Sequence, residues 1–202
     1  MTGGFEEVLV PNLYWDRLFE IEAAKILPGE YYVTGRDMML VTVLGSCVSV
    51  CLRDPKTGIG GMNHFLLPEG GDPHNPLSNP ARYGGYAMEV LINQLIKLGA
   101  SRSRFEAKVF GGGAVMRGFT MHNVGERNSE FVLEYLERER IRILAQDLLD
   151  IYPRKVYYFP NSGRVLVKKL KQAHNNTIVQ REEEYGSRLQ TSDIAGEVEL
   201  FS

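Results

Sequence analysis

Residues 41–68, VTVLGSCVSVCLRDPKTGIGGMNHFLLP, constrain the fold more than any other stretch of the chain. Side chains alternate across a strand, so in SCVSVCLR the residues Cys47, Ser49, Cys51 and Arg53 share one face, and Val48, Val50 and Leu52 share the other. Residues 54–58, DPKTG, carry turn chemistry: Pro55 suits the first central position of a type I turn, and Gly58 suits a residue with positive φ. IGGMNHFLL then runs back as a second strand. With Arg53 opposite Gly58, Cys47 faces His64 across the ribbon, where facing Cβ atoms lie about 4.5–5.5 Å apart. A bulge at Gly58 would instead pair Cys47 with Phe65 and turn His64 to the other face.

A thiol beside an imidazole can lose its proton to the ring, and the thiolate attacks acyl carbon. Gly45, in GSC, lets the backbone turn sharply before Cys47, which exposes the sulfur and leaves the N–H groups near Ser46 and Cys47 free to hold an oxyanion. The plainer alternative treats Cys47 as a small core hydrophobe and His64 as a hydrogen-bonded core residue. Ser49 and Cys51 read as lining of the same face, and Asn63 alternates away from His64. A disulfide is not expected, because cysteines four apart on a strand have Cα atoms roughly 13 Å apart. Cys47, Cys51, His64 and His74 make a poor zinc set, since neither a C-x-x-C nor an H-x-x-x-H pair is present. GGGAVM has Met116 where a dinucleotide loop needs its last glycine, so it reads as a turn or as close backbone packing. In GERN, Glu126 and Arg127 sit at a helix start and read as pairing with each other or with the sheet rather than as catalytic.

The chain has 202 residues and suits a single domain. Its net charge of -2 offers no general attraction for nucleic acid or anionic lipid. The longest apolar run, MMLVTVLGSCVSVCL, is interrupted by Gly45 and is shorter than the roughly 20 residues of a spanning helix, so no membrane insertion is expected. MTGGFEEVLVPNLYW lacks the pattern of a secretory signal, which suggests a cytoplasmic protein.

Residues 1–30 read as an N-terminal extension, partly helical and packed through Tyr14, Trp15, Phe19 and Ile21, or else as a partner-binding arm. Within a core of residues 31–173, residues 69–80 form a loop. ARYGGYAMEVLINQLIKLGA is a helix started by Asn79 and Pro80 and stopped by Gly99. RFEAKVFGGG is a strand, and NSEFVLEYLERERI is a helix capped by Asn128. RILAQDL is a strand, and KVYYFPNSGRVLVKKL is a hairpin closed at NSG. Residues 174–202 are polar and weakly patterned, and are expected to be a loosely attached C-terminal extension or one ordered by another chain. The mixture predicts a layered α/β sandwich with a mixed sheet.

Six motifs in order, LGSCVSVCLRDP, GGMNHFLLP, RYGGYAMEVLI, KVFGGG, NVGERN and GRVLVKKL, resemble the chemoreceptor glutamine deamidases, the CheD family of bacterial chemotaxis. The similarity spans residues 31–170. It implies an α/β sandwich related in active-site layout to bacterial toxins that deamidate glutamine on host GTPases. It also implies that Cys47 is the nucleophile and His64 the base, with a threonine shortly before the cysteine. Thr42 precedes Cys47 by five positions where the family spacing is six, and a one-residue shift reverses side-chain direction on a strand. The implied activity is that of a protein-glutamine glutaminase needing no cofactor. It converts glutamines of methyl-accepting chemotaxis receptors to glutamates through a γ-glutamyl thioester, with backbone at Gly45, Ser46 and Cys47 holding the oxyanion. Family members also bind a CheC-type phosphatase, so a regulatory docking module is the alternative function. A small-molecule amidase, the third reading, would need a closed pocket rather than an open groove.

Overall fold

A computed structural model describes residues 12–68, 72–75, 78–115, 122–170 and 175–191. The strands are β1 (Asn12–Asp16), β2 (Ile21–Lys25), β3 (Tyr31–Thr34), β4 (Met39–Leu44), β5 (Val48–Arg53) and β6 (Gly60–Asn63), followed by helix α1 (Asn79–Lys97). Then come β7 (Glu106–Gly111), helix α2 (His122–Arg138), β8 (Arg142–Leu148), β9 (Arg154–Phe159), β10 (Arg164–Lys169) and helix α3 (Asn175–Thr191). They form two five-stranded sheets, ordered β1-β2-β4-β9-β10 and β3-β6-β5-β7-β8. Each is mixed: β2 with β4 and β7 with β8 are parallel, and the other neighbours are antiparallel. The expected layered α/β architecture is therefore present. None of the described helices is long and apolar enough to cross a membrane.

Strand alternation sets the layers. Val48, Val50 and Leu52 of β5 join Met88, Leu91, Ile92 and Leu95 of α1 and Phe131, Val132, Tyr135 and Leu136 of α2 in one buried cluster. Cys47 and Cys51 point the other way, into a second cluster with Leu40, Leu44, Val156 and Tyr158 of the facing sheet. Along β4, Met39 and Val41 belong to an outer cluster, so the alternating Thr42 is directed into the space between the sheets with Leu40 and Leu44.

Four expectations are corrected. The segment before residue 30 is a β-hairpin, not partly helical: Asp16 Oδ1 accepts from the N–H groups of Leu18 and Phe19 at 2.9 and 3.1 Å, which closes the turn. β2 then completes its backbone hydrogen bonding on the edge of β4, which outweighs local helix preference. Phe19 packs on Tyr157 and Phe159, whereas Trp15 is exposed.

The β5–β6 register also differs from both expectations. Arg53 pairs with Gly60 and Val48 with Phe65, so the position opposite Cys47 is Leu66. The turn is longer than anticipated because Asp54 N–H bonds Ile59 O, enclosing Gly58 and Ile59 as well. The displacement is an even number of residues, so His64 still shares the face of Cys47, diagonally from it rather than opposite.

α2 begins before Asn128, which lies inside the helix and is fully buried rather than acting as its cap. Residues 175–191, expected to be loosely attached, form α3, which packs over the gap between the sheets through Tyr185 and Leu189.

Candidate active site

The loop 45–47 joins β4 to β5, and all three of its carbonyls are taken up from one side. Gly113 N–H donates to Gly45 O at 2.8 Å, the Asn128 side-chain amide to Ser46 O at 2.9 Å, and Gly112 N–H to Cys47 O at 2.8 Å. Gly111 has φ 114°, and a Cβ there would lie 2.1 Å from Cys47 O, so glycine is required for this approach. The run GGG thus serves close backbone packing, as anticipated; Met116 lies outside the described residues.

With the carbonyls held, the three amides of the loop face the opposite way and converge. Gly45 N–H and Cys47 N–H donate to Glu182 Oε1 at 2.8 and 3.1 Å. Ser46 donates to Glu182 Oε2 from its N–H at 2.7 Å and from Oγ at 2.6 Å. A Cβ on Gly45 would stand 2.8 Å from Glu182 Oε2, so the missing side chain makes room for the carboxylate. Fixed donors converging on one anion, in a site closed to water, form the arrangement that stabilises an oxyanion.

His64 is anchored through its backbone, with N–H bonded to Glu30 O at 2.9 Å and its carbonyl accepting from Gly29 N–H at 2.8 Å. Its Nδ1 lies 2.8 Å from Thr42 Oγ1, which in turn donates to Ile26 O at 2.8 Å. The threonine proton is committed to that carbonyl, so Oγ1 accepts from Nδ1–H, which leaves Nε2 as the basic nitrogen of the neutral ring. Nε2 is buried without a hydrogen-bond partner. One donor atom each from Cys47, His64 and Glu182 lie within 4.8 Å of one another, all buried. Burial pushes the Cys47 thiol well above its ordinary value, and the neighbouring Glu182 charge raises it further. Burial lowers the His64 ring, against a smaller opposing pull from Glu182. With Glu182 seated, the pair is therefore a thiol and a neutral imidazole.

The structure brings together Cys47, His64, Thr42, Ser46 and Gly45. Thr42 reaches the site despite its one-residue departure from the family spacing because β4 alternation directs it inward. Cys51 is a buried free thiol, and Ser49 lies on the same face of β5, its hydroxyl buried without a partner. Asn63 points away as expected: its side chain accepts from Val50 N–H at 2.9 Å and donates to Ala87 O at 3.3 Å, towards α1. Arg127 reaches Pro68 O at 2.5 Å rather than pairing with Glu126. His74, from the weighed zinc set, pairs with Glu134 at 2.9 Å instead. The trio Cys47, His64 and Glu182 is compact enough to suggest a metal, but both Glu182 oxygens already accept from the loop amides, which is the coordination of an anion receptor.

Two residues of the site were not read as site residues in the sequence. Asn128 clamps the nucleophile loop to the segment after His64, since its Oδ1 also accepts from Leu67 N–H at 3.0 Å. Glu182 had a readable signal: Ile178, Glu182, Tyr185 and Leu189 recur at helical spacing, so one acid stands within an otherwise apolar stripe.

A family model described as CheD chemotactic sensory transduction matches residues 66–169, beginning just after His64. Over its whole length the chain is 64% identical to the probable chemoreceptor glutamine deamidase CheD of Thiobacillus denitrificans, with all of that protein covered. It is 65% identical to the protein of the same description from Herminiimonas arsenicoxydans and 64% identical to that from Methylobacillus flagellatus, again with both chains covered in full.

Proposed function

The chain belongs to the CheD family, and we propose that it is a chemoreceptor glutamine deamidase working through a Cys47 thioester. The observation that carries this reading is the glutamate carboxyl group held by the loop amides within 4.8 Å of thiol and imidazole, because that group is the product of glutamine deamidation. The names of the full-length relatives supply the receptor as substrate.

In the proposed reaction a glutamine side chain takes the place of Glu182, with its carbonyl oxygen toward the amides of Gly45, Ser46 and Cys47. His64 Nε2 takes the thiol proton, and the sulfur forms a bond to the amide carbon while the carbonyl electrons move onto oxygen. The amide cradle holds that oxyanion. Collapse breaks the C–N bond, and the imidazolium returns its proton to the departing nitrogen, releasing ammonia. Water, deprotonated by the same ring, cleaves the thioester to leave a glutamate and a restored thiol. Thr42 acts as a positioning residue that holds the tautomer with Nε2 basic. Each turnover replaces a neutral side chain by an anion.

The test incubates the protein with a receptor cytoplasmic fragment and follows ammonia release and the mass of receptor peptides. Wild type is expected to convert specific glutamines, and Cys47→Ala is expected to be inactive. Conversion that persists in Cys47→Ala would remove the nucleophile assignment.

A further inference from the structure

We propose that α3 is an intramolecular product analogue: Glu182 occupies the acyl subsite as a newly formed substrate glutamate would, and a substrate helix has to displace it. The identity of the mimicked group rests on the deamidase reading, whereas the blockage rests on geometry alone.

Every backbone donor of the 45–47 loop is engaged by Glu182, so no amide of that loop is left for a substrate oxygen while α3 is seated. Cys47 beneath it is fully buried. A polypeptide therefore cannot reach the sulfur in this arrangement. An acid placed for stability would be expected to meet a cation, yet no salt bridge among the described residues involves Glu182. Its charge is met by backbone dipoles and one hydroxyl, the same groups that would meet an oxyanion.

α3 is held by few buried side chains. Among its described side chains only Glu182 and Tyr185 are buried, and a cavity of about 520 Å³ is lined by Arg181, Tyr185 and Arg188 of α3 and by Leu27 and Pro28. A second space of about 20 Å³ is bounded by Ile26, Leu27, Pro28 and His64 on one side and by Ile178, Arg181 and Glu182 of α3 on the other, so α3 forms one wall of the space beside the imidazole. The helix presents its acid in a fixed frame, with Ile178 one turn before and Tyr185 and Leu189 after. The geometry thus describes the competitor: a helix carrying glutamine at the Glu182 position and apolar residues at the flanking ones.

The test labels full-length protein with iodoacetamide at neutral pH and reads Cys47 and Cys51 separately by peptide mass, in wild type, Glu182→Ala and Glu182→Gln. Buried Cys51 serves as the internal reference, so the result is the ratio of Cys47 to Cys51 labelling. Glu182→Ala is expected to raise that ratio at least about tenfold, because the sulfur is uncovered and a negative charge beside it is removed, which favours the thiolate. An unchanged ratio overturns the proposal, including the case in which a loosened fold raises both rates together.

Glu182→Gln adds an independent readout. The introduced carboxamide sits in the subsite, so this variant is expected to convert its own new glutamine to glutamate, with uptake of water and release of ammonia. Combined with Cys47→Ala, the glutamine is expected to persist. A raised ratio with neither the introduced glutamine nor receptor converted would leave the blockage standing and defeat the deamidase reading. Receptor conversion with an unchanged ratio would do the reverse.

Discussion

α1 and α2 are joined to the molecule by a different kind of interaction from α3. The first two bury Met88, Leu91, Ile92, Leu95, Phe131, Val132, Tyr135 and Leu136 against β5. Among its described side chains α3 buries one tyrosine and one carboxylate. Apolar burial is non-directional and proportional to area, so no dissolved group can compete for it selectively. Hydrogen bonds to a carboxylate depend on the chemical group, and another glutamyl group of matching geometry can take them over. The lesson is a separation of duties: the face of β5 turned to α1 and α2 is packed with apolar side chains alone, and the face turned to the other sheet carries the thiol beneath α3.

The largest expected effect tests the chemical face. His64→Ala should lower the deamidation rate by about 10²–10⁴, measured as initial ammonia release, while shifting the urea midpoint far less than a core truncation does. A parallel loss of stability would break the separation. On the helix-covered face, Leu91→Ala should destabilise by about 2–5 kcal/mol, read from the urea midpoint. A midpoint near that of wild type would show that α1 is not what holds the domain.

Thr42→Val keeps the shape of the side chain and removes the hydroxyl between Ile26 O and His64 Nδ1. Losing a hydrogen bond to a group that becomes charged during reaction costs about 1.5–3 kcal/mol, or roughly a ten- to hundredfold drop in rate. If the rate is unchanged, Thr42 does not set the tautomer. Tyr185→Phe removes the hydroxyl contact with Tyr83 that ties α3 to α1. At about 0.5–1.5 kcal/mol for a net hydrogen bond, amide exchange within α3 should quicken roughly two- to tenfold, with α1 and α2 unaffected. Equal acceleration in all three helices would remove the contrast between them.

The last effect concerns pH and is spread over more than one pH unit. Burial holds the His64 ring below its ordinary value, whereas the ring of the unfolded chain takes up a proton near pH 6.5. Below that pH the unfolded state binds more protons, so stability falls as pH drops towards the lower folded value, by at most about 1.4 kcal/mol per pH unit. His64→Phe should flatten that part of the curve. Identical slopes for the two proteins between pH 7 and 5.5 would show that His64 is not buried neutral.

Much of this arrangement is legible in the chain because it rests on local rules. RILAQDL is β8, KVYYFPNSGRVLVKKL is the β9–β10 hairpin, and α1 starts at Asn79 with Gly99 beyond its end. Alternation also puts Cys47 and His64 on one face for any register displaced by an even number of residues. It leaves the register open, because faces repeat every two residues and the Asp54 turn absorbs two more than its composition suggested. The N-terminal hairpin is misread because its strands depend on the β4 edge, which is remote from any local signal. Asn128 looks like a helix cap because its partners, Ser46 O and Leu67 N–H, are distant in sequence.

By itself the sequence determined the identities at the site: a thiol after a glycine turn, an imidazole on the returning strand, and a hydroxyl on the strand before. It also determined how each strand divides its side chains between two faces, since strand periodicity is a property of the local backbone. Only the tertiary structure decided that Glu182, 137 residues from Gly45, closes the cradle. Which anion three converging amides receive depends on what the whole fold brings within hydrogen-bond reach, and that is a property of contacts between elements.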